Sequence, residues 1–196
     1  SFIASLNAIL YTKANPIFID VDTNLNLNIQ DLCDFLEKNT FQDKKNRCIN
    51  KKTKKHIKCI LLIHVFGNIV DYSKVLNISR KKNISIVEDA AESFGSYVKI
   101  KNKKFFSGSF GRFACFSFNG NKIISSAGGG AVLSNLKKDQ STIDHYSNQA
   151  KSNAITFQHN DIGFNYRLSN IHATIGFNQA RSFRNIFSKK KLIFEN

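Results

Sequence analysis

Residues 59–89 restrict the fold more than any other part of the chain. CILLIH (59–64) is apolar nearly throughout, and ISIVED (84–89) stays apolar until it ends in two carboxylates. Between them DYSKVLNISRKKN (71–83) carries Tyr72, Val75, Leu76 and Ile78 at helical spacing. A strand that faces water on one side alternates polar and apolar residues, and these two do not. Strand, amphipathic helix and strand together predict a βαβ unit, and so an α/β fold with a mostly parallel sheet covered by helices on both faces. Further strands are expected at PIFIDV (16–21), ACFSF (114–118) and GGAVLS (129–134). Asn28 is placed to cap a helix with Asp31 in its first turn and Ile29, Leu32, Phe35 and Leu36 as its apolar stripe. From about Leu168 the chain again reads as helical. Ligands of such sheets sit beyond the carboxyl ends of the strands, so His64, Glu88, Asp89 and the run from Ser117 to Lys122 are expected to converge on one crevice.

Composition narrows the function classes. A length of 196 residues, 42% hydrophobic and 22% charged, suits one ordinary globular domain. No apolar run approaches the ~20 residues that span a bilayer. A single proline and no internal repeat leave no linker to a second domain, and the lack of any Met reads as an internal fragment of a longer protein. The four cysteines (33, 48, 59 and 115) show neither CxxC pairing nor zinc-like spacing with histidine, so no metal is expected and the setting reads as reducing and cytoplasmic. The net charge of +15 invites a nucleic-acid reading. Yet eight of the fifteen residues 44–58 are Lys or Arg, and no helix-turn-helix, zinc or aromatic RNA-binding signature accompanies them. The chain is also rich in Lys, Asn and Ile, a bias that accounts for the charge as well as phosphate contacts do. An enlarged, solvated basic loop is the preferred reading of 44–58, with a basic nucleic-acid-binding module as the alternative.

The chemistry concentrates in SFNGNKIISSAGGG (117–130) and IVEDAAES (86–93). The glycines 128–130 fit neither a P-loop nor a dinucleotide fingerprint, because no Gly-Lys pair exists and they precede a strand rather than open a helix. They read as a turn that needs close backbone approach. Lys122 stands between an apolar strand and Ile123-Ile124, and a lysine shielded from water becomes nucleophilic. Taken alone, a lysine after a strand is more often solvated. Asp89, at a neighbouring strand end, is either a cap for the following turn or the partner of a cationic ring nitrogen. A lysine that forms a Schiff base, paired with an acid that keeps a pyridine nitrogen protonated, is the combination pyridoxal-phosphate enzymes need.

These segments, with HNDIGFNYRLSNIHATIGFNQ (159–179), SFIASLNAILYTKANPIFIDVD (1–22) and HVFGN (64–68), resemble in order the nucleotide-sugar aminotransferases of the DegT/StrS family. The resemblance spans nearly all of the chain apart from 44–58 and the last dozen or so residues. It implies the large domain of a fold-type I aminotransferase, without the family's upstream phosphate-cradling segment and its C-terminal small domain. By matched position it implies that Lys122 links to pyridoxal 5'-phosphate and shuttles the proton, and that Asp89 pairs with the pyridine nitrogen. Glu92 would reach the ring hydroxyl region, Ser117 would bind the phosphate and Phe2 would stack on the ring. Asn165 would reach a phosphate in the neighbouring protomer, which implies a homodimer with shared active sites. Arg167 matches a position open to a phosphate, an intersubunit or a helix-end role, and His64 one that is structural or lines the crevice. EDAAES, SFNGNKI and GFNYRLSN together look like the members that aminate C4 of UDP-linked 4-keto-6-deoxy-N-acetylhexosamines, with glutamate as donor, for bacillosamine and legionaminic acid synthesis. An inactive relic of such an enzyme is the other reading. A histidine in place of the lysine would mark the sugar dehydratases among the relatives, and Lys122 argues against that reaction.

Overall fold

The computed structural model describes residues 3–153 and 155–195, so Phe2 lies outside the described residues. The chain forms two compact units, Ser1–Ala114 and Cys115–Asn196.

The first unit contains α1 (Ile3–Tyr11), α2 (Ile29–Lys38), β1 (Thr40–Gln42), β2 (Cys48–Asn50), β3 (Cys59–Ile63), α3 (Tyr72–Lys82), β4 (Ser85–Asp89), β5 (Tyr97–Ile100) and β6 (Lys103–Phe106). The expected βαβ unit is present. β3 and β4 run parallel in register, Cys59 opposite Ser85 through Ile63 opposite Asp89. Leu62, Val75, Ile78, Ile84 and Ile86 from this unit pack with Leu32 and Leu36 of α2 into one core. α3 starts where the Asp71 side chain accepts the Ser73 N–H and stops at Asn83, whose left-handed backbone ends the helix.

Asn28 caps α2 as its sequence position requires, its Oδ1 accepting the N–H groups of Gln30 and Asp31. Replacing Asn28 by alanine leaves those donors to water and is expected to cost about 1 kcal/mol of stability, read as a lower urea midpoint at unchanged slope. An unchanged midpoint would show the cap to be idle.

Two expectations are corrected. PIFIDV (16–21) is not a strand. The chain around it spends its hydrogen bonds on a local turn instead. Asp22 N–H donates to Asn26 O, Asn28 N–H donates to Asp20 O, and the Asp22 carboxylate accepts from the Asn24 and Asn26 amides. Phe18 stays 75% exposed. β-branched composition supplies propensity, but a strand also needs an edge to pair with, and the Asp/Asn-rich stretch after residue 19 closes on itself first. The basic stretch 44–58 is likewise more than a solvated loop. β1 and β2 pair antiparallel, and Cys48, Ile49 and Asn50 are buried. Its turn is fastened by Asp43, which accepts the Lys45 and Arg47 amides and the Arg47 guanidinium. Three small or apolar residues inside a run of lysines suffice to bury a short strand. The hairpin of β5 and β6 gave no signal either, although Lys101 and Asn102 are both left-handed, as a two-residue hairpin loop requires.

β7 (Phe113–Ser117) straddles the boundary between the units. In the second unit its last residues neighbour β8 (Gly130–Ser134). There follow α4 (Gln140–Ser147), the antiparallel pair β9 (Lys151–Asn153) and β10 (Gln158–His159), α5 (Asn170–Arg181) and α6 (Phe183–Glu195). Ser169 caps α5 by accepting the His172 N–H, close to the start expected near Leu168. Among the described residues no helix is long and apolar enough to cross a membrane, and no group of His, Cys, Asp or Glu is placed to hold a metal.

Candidate functional site

Asp89 closes β4, and its position is set twice over. Its backbone carbonyl accepts the His64 N–H at 3.1 Å, continuing the β3–β4 ladder past the end of β3. Its side chain is held by the Ala91 N–H on Oδ1 at 3.1 Å and by Ser5 Oγ on Oδ2 at 2.5 Å. The carboxylate is half-buried and keeps lone pairs unused by these two donors. Three residues on, Glu92 Oε2 accepts the Phe66 N–H at 2.9 Å. Phe66 is left-handed (φ 53°, ψ 25°), an uncommon state for a bulky residue, and Gly67 follows at φ 83°. Glu92 therefore holds the turn that follows β3, a task its motif position did not announce.

His64 and Glu88 do not line a crevice. Glu88 is fully buried and its carboxylate accepts five hydrogen bonds. Oε1 takes the Phe110 and Gly111 amides at 2.8 and 2.6 Å. Oε2 takes the Gly108 amide at 2.8 Å, the Tyr72 hydroxyl at 2.5 Å and His64 Nε2 at 3.0 Å. A carboxylate only accepts, so His64 carries its proton on Nε2, which also lies 2.8 Å from the Tyr72 oxygen. His64 Nδ1 is buried without a hydrogen-bond partner among the described residues. Burial is the largest single influence on Glu88 and pushes its pKa up, but the His64, Gly111, Tyr72 and Gly108 hydrogen bonds together outweigh it and hold the group at about 2. Tyr72 moves the other way, raised by burial and then by its bond to Glu88. The sequence reading expected Glu88 at the ligand crevice and not as the acceptor of a buried hydrogen-bond network. The one available signal was a second acid inside an apolar strand, which a fold tolerates only when the acid is fully bonded.

The second unit places Lys122 on a loop closed at its base. Phe118 donates its N–H to Gly129 O at 3.0 Å and accepts the Ser126 N–H at 2.9 Å, so residues 119–125 form an excursion from two fixed points. Lys122 N–H donates to Asn119 O at 3.0 Å within it. The lysine is half-buried and Ile124 beside it is 2% exposed, as the apolar flanks suggested. Gly129 and Gly130 have the expected purpose, whereas a Cβ on Gly128 would meet nothing within 4 Å. A Cβ on Gly129 would fall 2.3 Å from Leu168 Cδ1, and one on Gly130 would fall 2.2 Å from Phe116 O. Ser117 is half-buried, and its oxygen accepts the Asn119 N–H at 3.3 Å, which leaves its own proton to offer to an anionic oxygen. Asn165 forms a bridge with Asn148, and both Asn165 and Arg167 are exposed.

Asp89 and Glu92 thus belong to the first unit, and Ser117, Lys122 and Asn165 to the second. The residues fit pyridoxal phosphate chemically. Asp89 is an anchored acceptor suited to a ring N–H, Ser117 a donor suited to a phosphate oxygen, and Lys122 a primary amine in partly apolar surroundings.

Comparison with known proteins agrees. The chain is 36% identical over 194 residues to EpsN of Bacillus subtilis (strain 168), named as a pyridoxal phosphate-dependent aminotransferase, covering 99% of this chain and 46% of that protein. It is 34% identical over 194 residues to a GDP-perosamine synthase of Escherichia coli O157:H7, covering 98% of this chain and 48% of that one. Among solved structures it superposes on Helicobacter pylori PseC, an aminotransferase involved in the biosynthesis of pseudoaminic acid, with a TM-score of 0.75 and 25% identity over 94% of this chain and 44% of that one. The chain therefore spans about half the length of the curated relatives it matches. The model of the DegT/DnrJ/EryC1/StrS aminotransferase family matches residues 1–196, and the chain belongs to that family of pyridoxal-phosphate-dependent sugar aminotransferases.

Proposed function

We propose that this chain is the cofactor-binding part of a transaminase that aminates C4 of a nucleotide-linked 4-keto-6-deoxy sugar, with glutamate as amino donor. The observation that carries the reading is Lys122, which stands in a segment that resembles the family's lysine motif and is presented on a loop closed at its base. When bound, pyridoxal phosphate supplies an electron sink for the carbon that gains or loses the amino group. The chain supplies the rest. Asp89 would accept the N–H of the ring nitrogen, and Ser117 would donate its hydroxyl to the phosphate. Glu92 holds the turn after β3 and, by the family resemblance, would reach the ring hydroxyl region. By the family resemblance Phe2 would stack on the ring and Asn165 would reach the phosphate of a second copy, which would make the working form a homodimer. Lys122 Nζ takes the proton from the amino-bearing carbon of the donor and returns one to C4 of the sugar. A cytoplasmic setting follows from nucleotide-sugar and glutamate substrates, and the product is a building block for cell-surface glycans.

The motif match supports a UDP-linked N-acetylhexosamine, whereas the likeness to a GDP-perosamine synthase supports a GDP-linked sugar. One assay separates them. The full-length protein is given pyridoxal phosphate, glutamate and either the UDP- or the GDP-linked 4-keto-6-deoxy sugar, and the amino sugar is identified by mass together with an equal amount of 2-oxoglutarate. Product from one nucleotide and not the other assigns the base. No amino sugar from either, in a protein that has bound the cofactor, overturns the reading.

A further inference from the structure

α1 buries the wrong residue for an apolar helix. Its sequence, IASLNAILY, offers isoleucine, leucine and tyrosine on most of its surface, yet Ser5 is its one buried residue. Ile3, Leu10 and Tyr11 remain 59%, 48% and 78% exposed. Hydrophobic burial cannot explain that choice, because burying a hydroxyl is unfavourable unless it makes a good hydrogen bond. The bond it makes is to Asp89 Oδ2 at 2.5 Å, across 84 residues of sequence. The other hydrogen bonds that fix Asp89 among the described residues come from backbone, with the Ala91 amide on Oδ1 and the His64 amide on the carbonyl.

A carboxylate at a strand end turns freely about its last side-chain bond unless both oxygens are held. The Ala91 amide alone leaves the rigid carboxylate able to pivot about a single contact. Ser5 closes that freedom from a separate element, so the remaining lone pairs of Asp89 keep one direction. A single N–H donor of fixed position, such as a protonated ring nitrogen, gains most from an acceptor held in this way, since no rotamer has to be frozen when it binds.

We propose that Ser5 is a positioning residue for the cofactor: its hydroxyl orients the Asp89 carboxylate toward the ring nitrogen of pyridoxal phosphate. This rests on the transaminase reading above, and the test separates the two. Pyridoxal phosphate is titrated into the cofactor-free full-length protein, wild type and the variants Ser5→Ala, Ser5→Cys and Ser5→Thr. Binding is followed by absorbance, and the absorbance of each complex is then followed against pH. Cysteine keeps the volume but is only a weak donor, whereas threonine keeps the hydroxyl. Ser5→Ala and Ser5→Cys are expected to bind the cofactor about tenfold more weakly, the loss of one hydrogen bond to a charged group. Their absorbance midpoint shifts in pH, because a swinging carboxylate holds the ring proton less well. Ser5→Thr stays within about threefold of wild type and keeps the wild-type midpoint. A purely structural role would weaken binding without moving the midpoint. Should Ser5→Ala fail to fold, the cysteine and threonine pair decides. A cysteine variant that matches wild type in affinity and midpoint overturns the role of Ser5 and leaves the transaminase reading standing. A wild-type protein that binds no pyridoxal phosphate overturns both.

Discussion

Replacing Lys122 by alanine is expected to lower amino transfer by about 10⁴-fold, the upper range for removal of a positioned general acid–base group. In the proposed reaction the same amine takes a proton from the donor carbon and delivers one to the sugar carbon, so its loss would affect both half-reactions. Lys122→Arg should not recover activity, since a guanidinium stays protonated and cannot accept the proton. A small primary amine added to the alanine variant should recover part of the rate, because it replaces the missing base without refilling the side chain. The loop itself should survive. Its closure runs through Phe118 with Ser126 and Gly129, and through the Lys122 amide with Asn119, all of them backbone bonds. Circular dichroism of the variant should therefore match wild type. An alanine variant that keeps more than a tenth of the wild-type rate would remove Lys122 from the chemistry.

How far the sequence could carry the structure depended on whether each feature was local. The apolar runs that became β3 and β4, the helix between them and the Asn28 cap all follow from period and capping within a dozen residues. The glycines at 129 and 130 were legible as a demand for close backbone approach, though not that Leu168 and Phe116 would be what approaches. PIFIDV failed because strand formation depends on an edge elsewhere, and the turn at 20–28 competed for the same backbone groups. Cys48, Ile49 and Asn50 were hidden by the lysines around them. The motifs named Asp89 and Lys122 but could not reveal what holds them. The contacts of Ser5 with Asp89, of Phe66 with Glu92 and of Tyr72 with Glu88 join residues 84, 26 and 16 positions apart, and no periodicity records such pairs.

The second large effect belongs to Glu88. Glu88→Gln changes one atom, and it is expected to destabilise the fold by about 3–5 kcal/mol, the scale for breaking one side of a buried, fully bonded charge. A carboxylate accepts on both oxygens, but an amide must turn an NH₂ group toward one set of partners. With NH₂ in place of Oε1, it faces the Phe110 and Gly111 amides, two donors with no freedom to reverse. With NH₂ in place of Oε2, Tyr72 can turn to accept, but His64 Nε2 accepts only if its proton moves to Nδ1, which is buried without a partner among the described residues. The Gly108 amide is stranded in that orientation as well. Each orientation thus leaves at least one backbone donor buried and unsatisfied. The pH dependence identifies the cause. Glu88 has an ordinary value of 4.5 and is held at about 2 in the fold, so its stabilising contribution is complete above pH 4.5 and disappears as the pH falls toward 2. A difference of 4.5 − 2 = 2.5 in pKa corresponds to about 3 kcal/mol. Urea denaturation from pH 7 to pH 2 should show the wild type losing stability below pH 4.5, while Glu88→Gln starts lower and loses correspondingly less over the same interval. A glutamine variant as stable as wild type at pH 7, or one with the same acid slope, would mean that the five donors around this carboxylate do not need its charge.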